Sequence, residues 1–402
     1  MSTAGLPKTL DLAPAKWWLI VALVLLSKAP VFLQSHREND EVIYTLLARN
    51  VVQTGHYTIP PDAPRPLLEN PRYQRPLFYH PPLYVLLLAP LVWLGVTDLG
   101  VLVSLAGHAL CVAAVWIVVR EWALTHRKAP SAAGVCLLAV AFDPILSSIS
   151  ARLWMDNLLA GLASLAIALA FVAARKRSLG LWCLCGVLGG LACLTKLSAV
   201  VVLWFPVLVL AVRSVPLREK AASFPAYVLP VSLAVMAWTG YFHHVYGVFL
   251  PDWVAPGPAD DNPFLRMIRS RPPYYYLVAL TSFQPLLFVG FLGVLPQAFR
   301  WKHGVLPAIA LVPLCFVPFI SCLSARELGF MSRHLAIAIP ALYGCLFLWL
   351  QGSESWTRGK RLFVQACLAL GIAQGVLFQT LPCHGDIPAF LYELFAHGPT
   401  AG

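Results

Sequence analysis

Apolar stretches of roughly 17 to 22 residues recur along this chain from Ala15 to Leu381, the length at which a helix crosses a hydrocarbon layer about 30 Å thick. Nothing else in the sequence limits the fold as strongly. Without water, backbone N–H and C=O groups must pair within the segment, and a helix satisfies them alone. Composition agrees: 59% of the 402 residues are hydrophobic and 12% charged, mean hydropathy is +0.73, and a soluble domain carries about twice that charge. The expected fold class is an all-α polytopic membrane protein, a single transmembrane domain over residues 1–402 with no separate soluble domain.

The spans read as Ala15–Leu33, Gly100–Val119, Ser131–Ser148, Asn157–Ala174, Leu179–Thr195, Leu197–Val212, Phe224–Phe242, Tyr274–Phe299, Gly304–Leu323, His334–Leu350 and Leu362–Leu381, about eleven transmembrane helices. The first follows Lys8 and Lys16 as a secretory signal would, but lacks a small-x-small cleavage site and is expected to be retained. Pro81–Gly95 is short, carries Pro90, and decides the side of every later loop. If it lies at the interface and the N-terminus is cytoplasmic, roughly 16 Lys/Arg face 4 acids inside, against roughly 13 and 14 outside. If it crosses, the bias reverses, so an interfacial helix is expected there. Two outer loops follow, 34–98 and 243–273, the first opening with an interfacial helix in ENDEVIYTLLARNVVQTG that ends at Gly55.

The net charge of +11 is spread as punctuation between apolar runs, which suits cytoplasmic anchors and excludes a nucleic-acid face. The ten cysteines lack zinc spacing and are expected as small buried apolar residues. GVLGG at Gly186–Gly190 lies within a span and reads as a helix-packing surface. No nucleotide-binding loop is present, so a soluble nucleotide substrate is unsupported.

Several outer residues carry chemistry or its plain alternative. Asp40 and Glu41 are either first-turn acids favoured by the helix dipole or carboxylates able to take a proton from a hydroxyl. Asp156 stands at the outer end of a span, four residues after Arg152, as an i,i+4 pair or as an acid facing a cavity. Lys196 either snorkels or binds an anionic head group. Arg326 and Arg333 either solvate a loop or hold a phosphate through two donors. Tyr79, His80 and Tyr275 are candidate substrate contacts, although a tyrosine cluster such as Tyr274–Tyr276 at a membrane boundary is more often an interfacial anchor. A divalent metal is left open, His80 being the candidate ligand, without a ligand pattern around it.

Taken in order, NDEVIYTLLARNVVQTGHYTIP, RPLFYHPPLYVLLLAPLVWLG, ARLWMDNLLA, GLACLTK, PPYYYLVALTSFQPLLF and RHLAIAIPAL resemble the GT-C superfamily of integral membrane glycosyltransferases, nearest the branch of protein O-mannosyltransferases and bacterial aminoarabinose transferases of lipid A. The resemblance covers roughly Ala15 to Leu350. It implies a polyprenyl-phosphate sugar donor used on the non-cytoplasmic face, with Asp40 as base, Glu41 as its neighbour and Asp156 as second acid. Lys196 and Arg333 match basic positions near the lipid phosphate. Relatives often carry Glu-Lys-Pro-Pro where this chain has Tyr79-His80-Pro81-Pro82, which leaves metal use open. The large extramembrane domain of many relatives is also missing, making a protein acceptor a less favoured expectation than a lipid or glycan.

The expected activity is transfer of a hexosyl or pentosyl group to a hydroxyl of a lipid, glycan or protein, with inversion, in the cell envelope. The outer loops show no disulfide framework or N-x-[ST] sequon, which points to a bacterial inner membrane. The alternatives are a transporter or flippase of lipid-linked substrates, expected to show internal repeats and midplane charges, and a non-catalytic membrane subunit.

Overall fold

The computed structural model describes residues 39–68, 81–126, 132–212, 216–247, 275–299, 306–323, 331–352 and 355–380, together with Leu23, Ser27 and Phe249. Among these every regular element is helical, with no strand. The first predicted span falls almost wholly outside them.

The helices are α1 Asn39–Thr54, α2 Leu83–Trp93, α3 Val101–His126, α4 Ala133–Ala141, α5 Pro144–Ser150, α6 Asp156–Lys176, α7 Leu179–Thr195, α8 Phe205–Val212, α9 Leu217–Tyr246, α10 Tyr275–Phe283, α11 Pro285–Ala298, α12 Leu306–Leu323, α13 Ile339–Leu350 and α14 Arg358–Thr380. Three are long and apolar enough to cross a membrane, or four if the bent pair α4/α5 is one span. Shorter apolar helices accompany them. This is an integral membrane protein.

Proline explains why several expected spans are broken. The pair α4/α5 bends by 41° where Asp143 precedes Pro144; the carboxylate accepts the N–H of Leu146 at 2.9 Å and caps the new helix. Gln284 precedes Pro285 and is held out of helical geometry at φ −152 and ψ 76, separating α10 from α11. Two further spans begin as 3-10 turns, Leu197–Val201 before α8 and Met331–Ile337 before α13. α14 passes both proline breaks: a Cβ on Gly371 would strike Gln284, and one on Gly375 the carbonyl of Phe142.

Contacts fix the direction of the helices. Gly107 of α3 meets the backbone of Asn157 and Leu158, while Glu121 of α3 meets Arg175 of α6 at 2.7 Å, so α3 and α6 run parallel. The 18 residue steps from Asn157 to Arg175 rise about 27 Å, close to the thickness of the hydrocarbon. Small residues allow this approach, since side-chain packing rather than water exclusion holds helices together in lipid. Gly186 and Gly190 do the same between α7 and α9, where a Cβ would collide with Tyr227 O or approach Ala234 Cβ at 2.8 Å. The expected packing role of GVLGG is thus met.

Parallel α3 and α6 define two ends. Arg175, Lys176, Arg177, Arg218, Lys220, Arg358, Lys360 and Arg361 sit at the far end, where α6 stops and α9 and α14 start. The short α2 stays at the opposite end: Tyr84 Oη lies 3.0 Å from Ser104 Oγ in the first turn of α3. At 11 residues it rises only about 16 Å. It does not cross the bundle.

α1 forms at the expected place, with Asp40 and Glu41 in its first turn. It ends at Gly55, at φ +77, whose N–H donates to Val51 O at 3.0 Å. Ile43, Tyr44, Leu47 and Ala48 turn inward, and Tyr44 packs edge-on against Tyr84 at 5.4 Å. Five of the described cysteines are buried, but Cys183 is exposed, a departure from the expected burial that lipid solvation permits.

Candidate active site

Four separate segments bring charge to the α2 end of the bundle. Asp40 enters from the first turn of α1. The turn between α5 and α6 carries Arg152, Trp154 and then Asp156 at the start of α6. Lys196 follows α7 directly: its 17 residues climb about 25 Å back to the level of Asp156. Arg333 and His334 sit in the 3-10 turn before α13.

Arg333 bridges the two candidate acids. Its Nη2 donates to Asp40 Oδ2 at 2.6 Å, and its Nε lies 3.9 Å from Asp156 Oδ2. Lys196 Nζ donates to Asp156 Oδ1 at 2.9 Å and lies 3.4 Å from His334 Nδ1, itself 3.9 Å from that carboxylate oxygen. Asp156 has a side chain only 5% exposed, against 24% for Asp40. A carboxylate so deep needs compensating cations, and Asp156 has them around it. Burial works against the charge of Arg333, but Asp40 and Asp156 outweigh it and hold the guanidinium pKa above its ordinary value.

Glu41 faces a different task. Its Oε1 accepts the backbone N–H of Leu153 at 2.7 Å, and Arg152 Nη1 lies 3.6 Å from Oε2. It therefore ties the start of α1 to the turn that delivers Trp154 and Asp156. Of the two readings of Asp156, the Arg152–Asp156 helical pair does not apply, because α6 begins only at Asp156 and Arg152 lies in the turn before it. Trp154 is pinned from the other side: Ser104 Oγ donates to its carbonyl at 2.7 Å, backed by Tyr84. Below this, Asn157 Nδ2 donates to Leu146 O and Ser150 Oγ, with His108 Nδ1 2.9 Å from the same hydroxyl. This buried network fixes the entry of α6.

Of the predicted site residues, Asp40, Glu41, Asp156, Lys196 and Arg333 come together. Tyr79, His80 and Arg326 lie outside the described residues. Tyr275 opens α10, and only its place in the helix is described. Trp154 and His334 carry no distinguishing mark of their own in the sequence, although both sit inside the motifs ARLWMDNLLA and RHLAIAIPAL. Their signal was adjacency, one residue beyond Arg333 and two before Asp156.

Among the described residues no group of three or more His, Cys, Asp or Glu side chains converges as metal ligands. Asp40 and Asp156 already face cations, so the described donors do not fit a metal site. The arrangement offers instead a partly exposed carboxylate beside basic groups able to receive an anion.

The helical order and chain path match the fold of known membrane enzymes. Among solved structures, ArnT from Cupriavidus metallidurans bound to undecaprenyl phosphate matches with a TM-score of 0.63 and 17% identity, over 92% of this chain and 76% of that one. Its apo state matches at 0.62 and 22% identity, over 96% and 69%. AglB, the oligosaccharyltransferase of Archaeoglobus fulgidus, in complex with an inhibitory peptide and a dolichol-phosphate, matches at 0.53 and 13% identity, over 90% of this chain and 55% of that one. At these identities the likeness establishes the fold. No protein-family model and no curated protein matches the sequence.

Proposed function

We propose that this chain is a glycosyltransferase that moves a sugar from a polyprenyl-phosphate carrier to a hydroxyl acceptor, in one inverting displacement on the non-cytoplasmic side. The observation that carries this reading is Asp40 held 2.6 Å from Arg333, at the end of the bundle where Lys196 and His334 also converge. The basic clusters at the opposite end favour a cytoplasmic location there, which supports an outward-facing site. The fold neighbours seen with undecaprenyl phosphate and with a dolichol-phosphate agree with a lipid-linked donor.

Asp40 takes the proton of the acceptor hydroxyl as that oxygen bonds to the anomeric carbon. The bond from that carbon to the phosphate oxygen breaks, and polyprenyl phosphate leaves with the electron pair. A phosphate monoester with a second pKa of about 6 needs no proton to depart. Arg333 and Lys196 receive it through charge-assisted hydrogen bonds, and they raise the rate to the extent that they hold the departing phosphate more tightly than the bound donor. Asp156 holds these cations in place. Glu41 positions the turn, since its carboxylate is engaged with Leu153. The lipid, glycan or protein acceptor would approach from the exposed side of Asp40.

The test is release of free polyprenyl phosphate from a panel of polyprenyl-phosphate sugars, using purified protein in liposomes with membrane-extract acceptors. Acceptor-dependent release is expected with at least one sugar. Neither release nor binding of any carrier would remove the reading and favour transport of a different substrate.

A further inference from the structure

Trp154 is 7% exposed at the membrane end of a span, where an anchoring tryptophan would reach for the interface. Two guanidinium groups instead lie near its ring. The guanidinium carbon of Arg333 is 4.7 Å from the ring centroid and that of Arg152 is 5.4 Å away, both within the roughly 6 Å range of cation–π attraction.

We propose that Trp154 is a positioning residue whose indole seats the Arg333 guanidinium for the donor phosphate; this rests on the glycosyltransferase reading above. An aromatic face differs from a carboxylate in what it takes from arginine. Asp40 uses an N–H donor of Arg333 and cancels its charge. The ring holds the cation by its quadrupole, consuming no donor and leaving the charge intact. When a phosphate draws Arg333 from Asp40, the seat persists, the guanidinium stays in the site, and the Asp40 carboxylate becomes available to the acceptor hydroxyl.

The seat is fixed independently of Arg333. The Trp154 carbonyl accepts Ser104 Oγ at 2.7 Å, Ser104 meets Tyr84 at 3.0 Å, and the neighbouring Leu153 N–H donates to Glu41 at 2.7 Å. Three helices, α1, α2 and α3, thus hold the turn that presents the ring. Such a frame preserves geometry while the salt bridge exchanges partners.

The experiment measures polyprenyl phosphate binding and steady-state turnover in nanodiscs for the native protein, Trp154→Leu, Trp154→Phe, Arg333→Gln and Trp154→Leu/Arg333→Gln. Trp154→Leu is expected to weaken polyprenyl phosphate binding about 5- to 30-fold, the range of a partly buried cation–π contact. The donor KM should rise in step while kcat falls by less than about threefold, and Trp154→Phe should recover binding to within about threefold. In the Arg333→Gln background the Leu substitution should add nothing. Equal losses in both backgrounds, or a Phe variant no better than Leu, would overturn the proposal as mere packing. If Trp154→Leu fails to fold, Trp154→Met, flexible and apolar, takes its place. A native protein that binds no polyprenyl phosphate would sink the glycosyltransferase reading. Thermal unfolding of the same four-protein cycle then reads the Trp154–Arg333 contact alone: non-additive shifts support the seat and additive shifts overturn it.

Discussion

Charge at the site is balanced residue by residue, and the balance is vulnerable. Asp156 is nearly buried and Lys196 pairs with it at 2.9 Å. Lys196→Met would leave a carboxylate in a low-dielectric setting with one cation fewer. The expected destabilisation is about 3 kcal/mol, at the low end for a broken buried pair because Lys196 retains some solvent. Asp156→Asn should lose comparable stability, whereas the double variant should recover much of it. Thermal unfolding of the three proteins in detergent checks this, and additive losses would show that the pair is not coupled. The residues in this cluster were partly legible in the sequence. An acid at a span end and a lysine in an apolar run are costly enough to draw notice. Trp154 and His334 drew none, because an aromatic or histidine near a membrane boundary has an ordinary anchoring explanation, and only the fold brings them to Arg333 and Asp156. Glu41 reads in the sequence as a partner of Asp40 in chemistry, whereas its bond to Leu153 N spans a sequence separation no local pattern encodes.

At the level of helices, close approach is the main constraint. Gly107 and Gly161 allow α3 to touch α6, and a Cβ on Gly161 would collide with the carbonyl of Gly107. Gly161→Ala should therefore push apart the helix that carries Asp156 from its neighbour, costing about 1–3 kcal/mol by overpacking. Turnover should fall with stability. Gly240→Ala is the control: among the described residues nothing beyond its own stretch of helix lies within 4 Å of the added Cβ, and in a helix interior alanine is expected to be neutral or mildly stabilising by up to about 1 kcal/mol. Melting temperatures of the two variants distinguish specific packing from a general effect of glycine replacement. Hydropathy located these helices because apolar length is what a bilayer demands. It joined 131–148 and 274–299 into single spans because window averages pass over a lone proline. Asp143-Pro144 and Gln284-Pro285 were the available signals, an N-cap followed by an N1 proline and a residue forced out of α geometry.

Across the whole molecule the candidate site and the basic clusters occupy opposite ends, separated by about 27 Å of helix between Asn157 and Arg175. The orientation this implies is open to direct labelling with a membrane-impermeant maleimide in intact cells and inverted vesicles, in a background lacking other reactive cysteines. Lys176→Cys should react only from the cytoplasmic face, and His56→Cys, in the loop after α1, only from the other. The reverse pattern would contradict the charge argument that places the site outside. Charge bias was readable from the sequence because it depends on counts along loops rather than on packing, and the same bias set α2 at the interface rather than across the bundle. What the account asserts most centrally is that Asp40 accepts the acceptor's proton while basic side chains hold the phosphate. Comparing native protein with Asp40→Asn in liposomes, for both polyprenyl phosphate binding and its release from the donor, tests that claim most directly. The account predicts retained binding with release slowed about 10²- to 10⁴-fold; equal release by both proteins would contradict it.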